Sequence, residues 1–216
     1  MQRAMRATIV ALMVTAAGAR AAMAQAQWQP SFGIFGAWNY TTAQGSDVQD
    51  AKYRSGFMAG VLMDAWPKSR WSLQAEVQYT QKGAKYEGAD TSGTTITPFT
   101  EEIKLSYVEI PVLLRLNGDE MNGMFTPHVL AGPFVAFKSG CSVSASATGV
   151  TMSTNCSGLD LNSVDYGATV GVGGDFRVAG SQKFIAGIRY EWGFRDIPKD
   201  ASVKNRGFNF LVGWRW

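Results

Sequence analysis

Few residues in this chain are equipped for chemistry, and their spacing is unpromising. His128 is the one histidine among 216 residues, so general acid–base catalysis has a single ordinary candidate. Asp90, Asp160, Asp196 and Asp200 lie in or beside polar connecting stretches with no histidine partner. Cys141 and Cys156 bracket a Ser/Thr/Gly-rich stretch, SGCSVSASATGVTMSTNCSG, with no His or further Cys nearby. A metal site is therefore excluded there, and a disulfide is expected if the chain is exported. Closing that loop would stabilise the fold by about 3 kcal/mol on a chain-entropy argument. The glycines of VGVGGDF fall within an alternating apolar pattern, which favours strand curvature and close packing over a phosphate loop. No catalytic, cofactor-binding or metal-ligating residue is assigned.

The elements that position these residues read as strands. Eight segments rich in aromatic, β-branched and glycine residues recur at 28–40, 53–65, 71–83, 102–116, 125–138, 164–178, 183–194 and 207–216. Period two is clearest in three of them. Trp71, Leu73, Ala75, Val77 and Tyr79 oppose Ser72, Gln74, Glu76, Gln78 and Thr80. Phe184, Ala186, Ile188, Tyr190 and Trp192 oppose Ile185, Gly187, Arg189 and Glu191. Phe208, Phe210, Val212, Trp214 and Trp216 oppose Asn209, Leu211, Gly213 and Arg215. A soluble sandwich or a membrane barrel would give this alternation equally.

Aromatic placement and loop parity choose between them. Large aromatics sit near both ends of the apolar faces, as the interfacial girdles of an outer-membrane barrel require. Connections alternate long and short: 41–52, 66–70, 84–101, 117–124, 139–163, 179–182 and 195–206. Up-and-down barrels have short periplasmic turns and longer outside loops, and an even strand number leaves both termini in the periplasm. His128 follows a short connection, which puts it at the periplasmic end, away from the acids of the long loops, as an interface residue. Pro111 and Pro133 interrupt their strands and predict local bulges.

Closing the strands into an eight-stranded antiparallel up-and-down barrel points Glu76, Arg189, Glu191 and Arg215 inward, together with Glu109, Arg115, Asp175 and Arg177. These are four acids and four arginines. Buried charges are tolerable only when paired, and an eight-stranded lumen is just wide enough to be filled by side chains. A salt-bridged plug is expected rather than a proton or ion path.

The N-terminus carries Arg3 and Arg6, an apolar run at 7–17, then small residues ending Ala22-Met23-Ala24. That order is a secretory signal peptide, residues 1–24, preceding a barrel domain at 25–216. The run is too short to cross a bilayer of roughly 30 Å as a helix. Its removal takes Arg3, Arg6 and Arg20 and no acid, leaving 17 basic against 17 acidic residues. The mature chain has no electrostatic footprint for nucleic acid.

The runs YRSGFMAGVLMDAW, WSLQAEVQYTQKGAKYE, LSYVEIPVLLRL, TPHVLAGPFVAF, DYGATVGVGGDF, AGIRYEWGFRDI and KNRGFNFLVGWRW resemble successive strand motifs of the outer-membrane β-barrel family that includes PorT-like proteins. The resemblance covers roughly residues 30–216. Its most specific pieces are E-x-x-Y-x-x-K-G at Glu76, Tyr79, Lys82 and Gly83, and Y-x-E-I-P-V-L-L-[KR] from Tyr107 to Arg115. It implies a barrel shaped like small OmpA-type domains and no single activity. The chain ends in Trp216 where the family's commonest ending is Phe.

The leading expectation is a non-enzymatic integral outer-membrane protein with a structural or surface-interaction role. Its partners would be outer-membrane lipid, the outer-membrane assembly machinery, and a protein or surface ligand met through the outside loops. Phe208, Phe210, Val212, Trp214 and Trp216 would form the assembly signal. The resemblance to PorT implies an alternative, an accessory component of a secretion machine. A soluble, lipocalin-like periplasmic barrel is disfavoured because the interior positions are mostly polar or glycine.

Overall fold

The computed structural model of the chain describes residues 29–48, 50–90 and 97–216; the expected leader lies outside them. Nine strands follow in order: β1 (Ser31–Gln44), β2 (Arg54–Asp64), β3 (Trp71–Asp90), β4 (Thr97–Asn117), β5 (Phe125–Ala147), β6 (Val150–Asn155), β7 (Val164–Ala179), β8 (Gln182–Gly193) and β9 (Lys204–Arg215). Neighbours pair antiparallel from β4 through β3, β2, β1, β9, β8 and β7 to β5, and β4 pairs with β5. The sheet thus closes into an eight-stranded up-and-down barrel. The remaining strand, β6, stands outside the ring and pairs only with the far end of β5.

Alternation decides which residues face out. Ile34, Val61, Val77, Leu114, Val172, Ile188, Phe210 and Val212 are exposed on the outer face, while Asn39, Gln74, Glu76, Gln78, Arg189, Glu191 and Asn209 are buried inside. An apolar surface this continuous is stable only against lipid. Aromatic clusters mark its two limits. At the short-turn end Phe176 lies 4.8 Å from Phe125 and 6.2 Å from Phe184, centroid to centroid. Towards the other end Tyr40 stacks on Tyr53 at 5.1 Å, and Tyr190 meets Trp192 and Phe208 edge-on at 4.5 and 4.6 Å. These are the two girdles that the alternation predicts.

Two stretches read from sequence as long loops are largely strand. The β3–β4 hairpin continues in register out to Asp90↔Thr97, and β5 runs to Ala147 before returning as β6. The polar, Ser/Thr-rich composition hid them, because a strand outside the membrane needs no apolar face. The 20 residues of β3 rise about 3.3 Å each and, tilted by about 40°, cover about 50 Å, twice the roughly 25 Å apolar band. Half of that hairpin therefore stands clear of the membrane.

The bulges expected at Pro111 and Pro133 are absent. Pro111 stays opposite Phe134 and Pro133 opposite Ala168, with unchanged register on either side. Each proline drops one ladder hydrogen bond without adding a residue. The register shift falls instead between Ser106 and Tyr107 of β4.

Val77, half-exposed at mid-height on β3, supplies a test. Val77→Arg is expected to destabilise the protein by about 2–4 kcal/mol in equilibrium unfolding from lipid vesicles. Met152→Arg on β6, where the side chain is 75% exposed, should stay within about 0.5 kcal/mol. Equal losses at the two positions would show that the outer face of β3 does not meet lipid.

Candidate functional site

The lumen is where the charged side chains converge, in two layers of different balance. In the layer nearest the short turns, Asp64 ends β2, Arg115 lies on β4, Asp175 on β7 and Arg215 on β9. Arg115 Nη2 donates to Asp175 Oδ2 at 2.6 Å, Arg215 Nη1 donates to Asp64 Oδ2 at 2.9 Å, and Arg215 also pairs with Asp175. One step further along, Arg189 on β8 grips Glu76 on β3 with two parallel hydrogen bonds of 2.7 and 2.8 Å across the barrel. Bidentate geometry of this kind is the strongest form of such a pair. Three acids face three arginines here, all buried.

The second layer is not balanced. Lys82 on β3 pairs with Glu109 on β4 and, at 2.9 Å, with Glu191 on β8. Gln78 donates to Glu109 at 2.6 Å and Asn209 to Glu191 at 2.7 Å. Asp165 on β7 accepts from Asn205 at 3.0 Å. Two buried carboxylates thus share one buried ammonium, and the third, Asp165, has no ion-pair partner among the described residues. Arg54, also buried, is taken by Glu102 at 2.6 Å.

Apolar side chains fill the rest of the lumen. Phe35, Met58, Leu62, Ile185 and Leu211 form one cluster. Leu105, Tyr107, Phe134 and Ala136 form a second at the hairpin end, against which Cys141, Leu161 and Ile197 pack. The Lys82 ammonium lies 4.2 Å over the Phe134 ring, a cation–π contact joining the charged layer to the apolar one. Two glycines of VGVGGDF make room for this filling. A Cβ on Gly171 would stand 2.8 Å from Arg189 Cγ, and one on Gly173 2.8 Å from His128 Nε2. The cavity left among Gln74, Arg115, His128, Asp175 and Arg189 is about 20 Å³, room for about one water molecule.

Of the eight charges expected in the lumen, the structure brings together Glu76, Glu109, Arg115, Asp175, Arg189, Glu191 and Arg215. Arg177 is a correction: it lies where β7 leaves the barrel, beside an irregularity between Arg177 and Ala179, and its 43% exposed side chain pairs with Glu120 of the turn. His128 is a second. It sits at the short-turn end but points inward, its side chain 8% exposed, with Nδ1 accepting from Arg115 at 3.1 Å. Its inward neighbours Leu130 and Phe134 carry the parity signal that would have shown this. Lys82, Asp64 and Asp165 were missed. Lys82 continues the inward series Glu76, Gln78, Thr80; the other two share parity with buried Leu62 and with Asp175. Phe208, Phe210, Val212, Trp214 and Trp216 line the outer face of the last segment, whose final backbone groups exchange hydrogen bonds with Phe32.

Beyond the membrane band, Cys141 and Cys156 are joined in a disulfide with Cα atoms 5.5 Å apart, tying β5 to the loop after β6. Lys52 and Lys85 both pair with Glu87 on the projecting hairpin. Their hydrogen bonds and charges hold the Glu87 carboxyl down to about 2. A depressed carboxyl contributes above its unfolded value, so this pin persists through neutral pH and is lost only as pH falls toward about 2. No helix among the described residues is long and apolar enough to cross a membrane, and the crossing is made by strands.

The comparisons agree with this geometry. A family described as outer membrane protein beta-barrel domain matches residues 23–198. A major outer membrane protein from Thermus thermophilus is similar in structure, at 10% identity and TM-score 0.50, over 87% of this chain and 99% of that one. Neisserial surface protein A aligns at 17% identity and TM-score 0.49, over 85% and 95% of the two chains. Ail, the attachment invasion locus protein of Yersinia pestis, solved with the heparin analogue sucrose octasulfate, aligns at 13% and 0.43, over 87% and 99%. At 10% identity the likeness to the Thermus thermophilus protein speaks to the fold alone. No curated protein matches the chain. With a closed eight-stranded ring, a lipid-facing apolar surface and a family match over most of its length, this chain belongs to the outer membrane protein β-barrel domain family and resides in the outer membrane.

Proposed function

We propose that this protein is a non-enzymatic barrel whose lumen is a closed plug and whose working surface is the end carrying the long hairpins, presented outside the cell. The observation that carries the reading is the Arg189–Glu76 pair across the lumen, flanked by the Arg115–Asp175–Arg215–Asp64 ring. Charges locked to one another leave no carrier for an ion path, and a cavity of about 20 Å³ leaves no water column.

Several features support the rest of the reading. His128, the only imidazole, has Nδ1 occupied by Arg115 at the end opposite the loop acids, so it is not placed to serve them as a base. Short turns and both barrel termini share one end, which fits a periplasmic end and an export signal at residues 1–24. The outward apolar residues of the last segment, Phe208, Phe210, Val212, Trp214 and Trp216, suit a signal read by the outer-membrane assembly machinery. The hairpins standing clear of the bilayer, one of them pinned by the disulfide, suit a rigid surface for a protein or surface ligand.

Two measurements test the plug. Arg189→Ala leaves Glu76 buried and uncompensated and should cost about 3–5 kcal/mol in vesicle unfolding, whereas the double variant Glu76→Gln/Arg189→Met should recover much of that loss. In planar bilayers the wild type should show no steady conductance. A large steady current through the unmodified protein would overturn the closed-lumen reading, and recovery in a soluble periplasmic fraction would overturn the membrane assignment. Replacing Cys141 and Cys156 by Ser should leave the heat-dependent gel shift of the barrel intact while speeding proteolysis within 139–163, the hairpin that the disulfide pins.

A further inference from the structure

At the hairpin end the lumen filling stops short of the rim and leaves a cavity of about 410 Å³. One wall is the barrel itself, through Ala43 of β1, Ala84 and Tyr86 of β3, and Ile103 and Leu105 of β4. The other is a cover of two loops, through Leu159 and Leu161 before β7 and Ile197 and Pro198 before β9. The cover is knitted by its own backbone. Asn162 donates to Ile197 O at 2.8 Å, Ile197 donates to Val203 O at 2.7 Å, and Lys199 donates to Asp160 O at 3.1 Å. Leu161 and Ile197 rest on the Leu105–Phe134 cluster, of which Leu105 lines the cavity. The space is therefore pre-formed, mostly apolar, and within the range of about 300–1,000 Å³ typical of small-ligand sites.

Charge selects the occupant. The ionisable acids among its lining residues are Asp160 and Asp200, and no lysine or arginine among the described residues lines it. Asp160 is partnered by Lys199 at 2.6 Å, which leaves Asp200 as the free rim carboxylate among the described ion pairs. Beneath the cavity a second, independent observation has the same sign. Glu109 and Glu191 share Lys82, while Asp165, a residue 4% exposed, has no ion-pair partner among the described residues, and its Oδ1 has no hydrogen-bond partner there either. Ala136, of the same cluster as Leu105, is the register partner of Asp165, so this unpaired carboxylate lies beside the cluster beneath the cavity. A carboxylate at the mouth attracts cations and repels anions, an attraction that salt weakens at an exposed rim.

We infer that this cavity binds a small apolar molecule carrying one cationic group, its apolar body on Ile103, Leu105, Leu161 and Ile197 and its charge toward Asp200. The inference rests on the reading that the hairpin end is the working surface, and supplies a ligand class for it. The arginine layer of the plug plays no part in it.

The test is ligand-observed fluorine NMR on the full-length mature protein in lipid nanodiscs, with protein-free discs as the baseline. The probes are 4-(trifluoromethyl)benzylamine and 4-(trifluoromethyl)benzoate, nearly isosteric and opposite in charge. Wild type should bind the amine at least ten-fold more tightly than the benzoate. Ala43→Phe, which fills the cavity, should weaken the amine at least ten-fold, and Asp200→Asn, on the exposed rim, about three-fold or more. Folding of each variant is checked by heat-dependent gel mobility; if Ala43→Phe fails it, Leu159→Trp on the exposed cover fills the same space. Equal binding of both probes, or amine binding unchanged in a folded cavity-filled variant, would overturn the inference. A conducting lumen would overturn the plug and leave these outcomes unaffected, so the two failures are distinguishable.

Discussion

Everything in this molecule depends on the pairing of its first barrel strand with its last. From Gly33↔Arg215 to Gln44↔Lys204, β1 and β9 run in unbroken antiparallel register. In hydrocarbon an open sheet edge would leave a row of unsatisfied N–H and C=O groups at several kcal/mol each, so the sheet is admissible only when closed. Closure at eight strands then sets the lumen diameter, and the lumen diameter sets the filling problem. The two sequence motifs that carry the family resemblance answer that problem directly. Glu76 and Lys82 of the first, and Tyr107, Glu109 and Arg115 of the second, are all buried lumen residues.

The filling is solved differently along the axis. Near the short turns, fork-shaped guanidinium groups meet carboxylates on facing strands, and long side chains reach across the barrel. Arg189 on β8 and Glu76 on β3 lie 113 residues apart in sequence. Such pairs gain little net stability over a well-packed apolar core, because desolvation offsets most of the Coulombic attraction. What they give is uniqueness: a register slip of one residue would turn each charge toward lipid. Nearer the hairpins Arg54 is taken by Glu102, one ammonium serves Glu109 and Glu191, and aromatic and aliphatic groups take over.

Period-two patterning made most of this legible. It located all eight ring strands, their inner and outer faces, and seven of the lumen charges, because lipid outside and polar groups inside enforce strict alternation. It faded where that enforcement ends. The tips of β3 and β4 beyond Tyr86 and Ile103, the far end of β5, and β6 stand outside the packed lumen, so Ser, Thr, Gly and Glu are as acceptable there as Val, and composition resembles a loop. Arg177 kept the right parity and still fell outside, since parity gives a face and not a height. His128 shows the complement: its height was readable from the neighbouring short turn, while its face required the full inward series through Leu130 and Phe134. Prolines misled because a lost hydrogen bond does not require an inserted residue. Nothing in a one-dimensional pattern shows which loops fold back over the lumen, so the cover built from 158–161 and 197–203 appears only in three dimensions.

The division of the lumen also explains why the hairpin end, and not the barrel, is free to differentiate. A substitution in the arginine layer leaves a buried partner without its counter-charge, a cost of several kcal/mol that the fold absorbs poorly. The tips of the projecting strands carry no such constraint, since their backbone ladder holds them and their side chains lie outside the packed lumen. The disulfide lies at the junction between these regimes. Cys141 stands opposite Leu105 in the β4–β5 ladder and packs on the Leu105–Phe134 cluster, while Cys156 begins the loop that continues into Leu159 and Leu161. One covalent bond thereby couples the last rigid layer of the barrel to the cover above the cavity, fixing the shape of the mouth without requiring any particular sequence in the hairpin between the two cysteines.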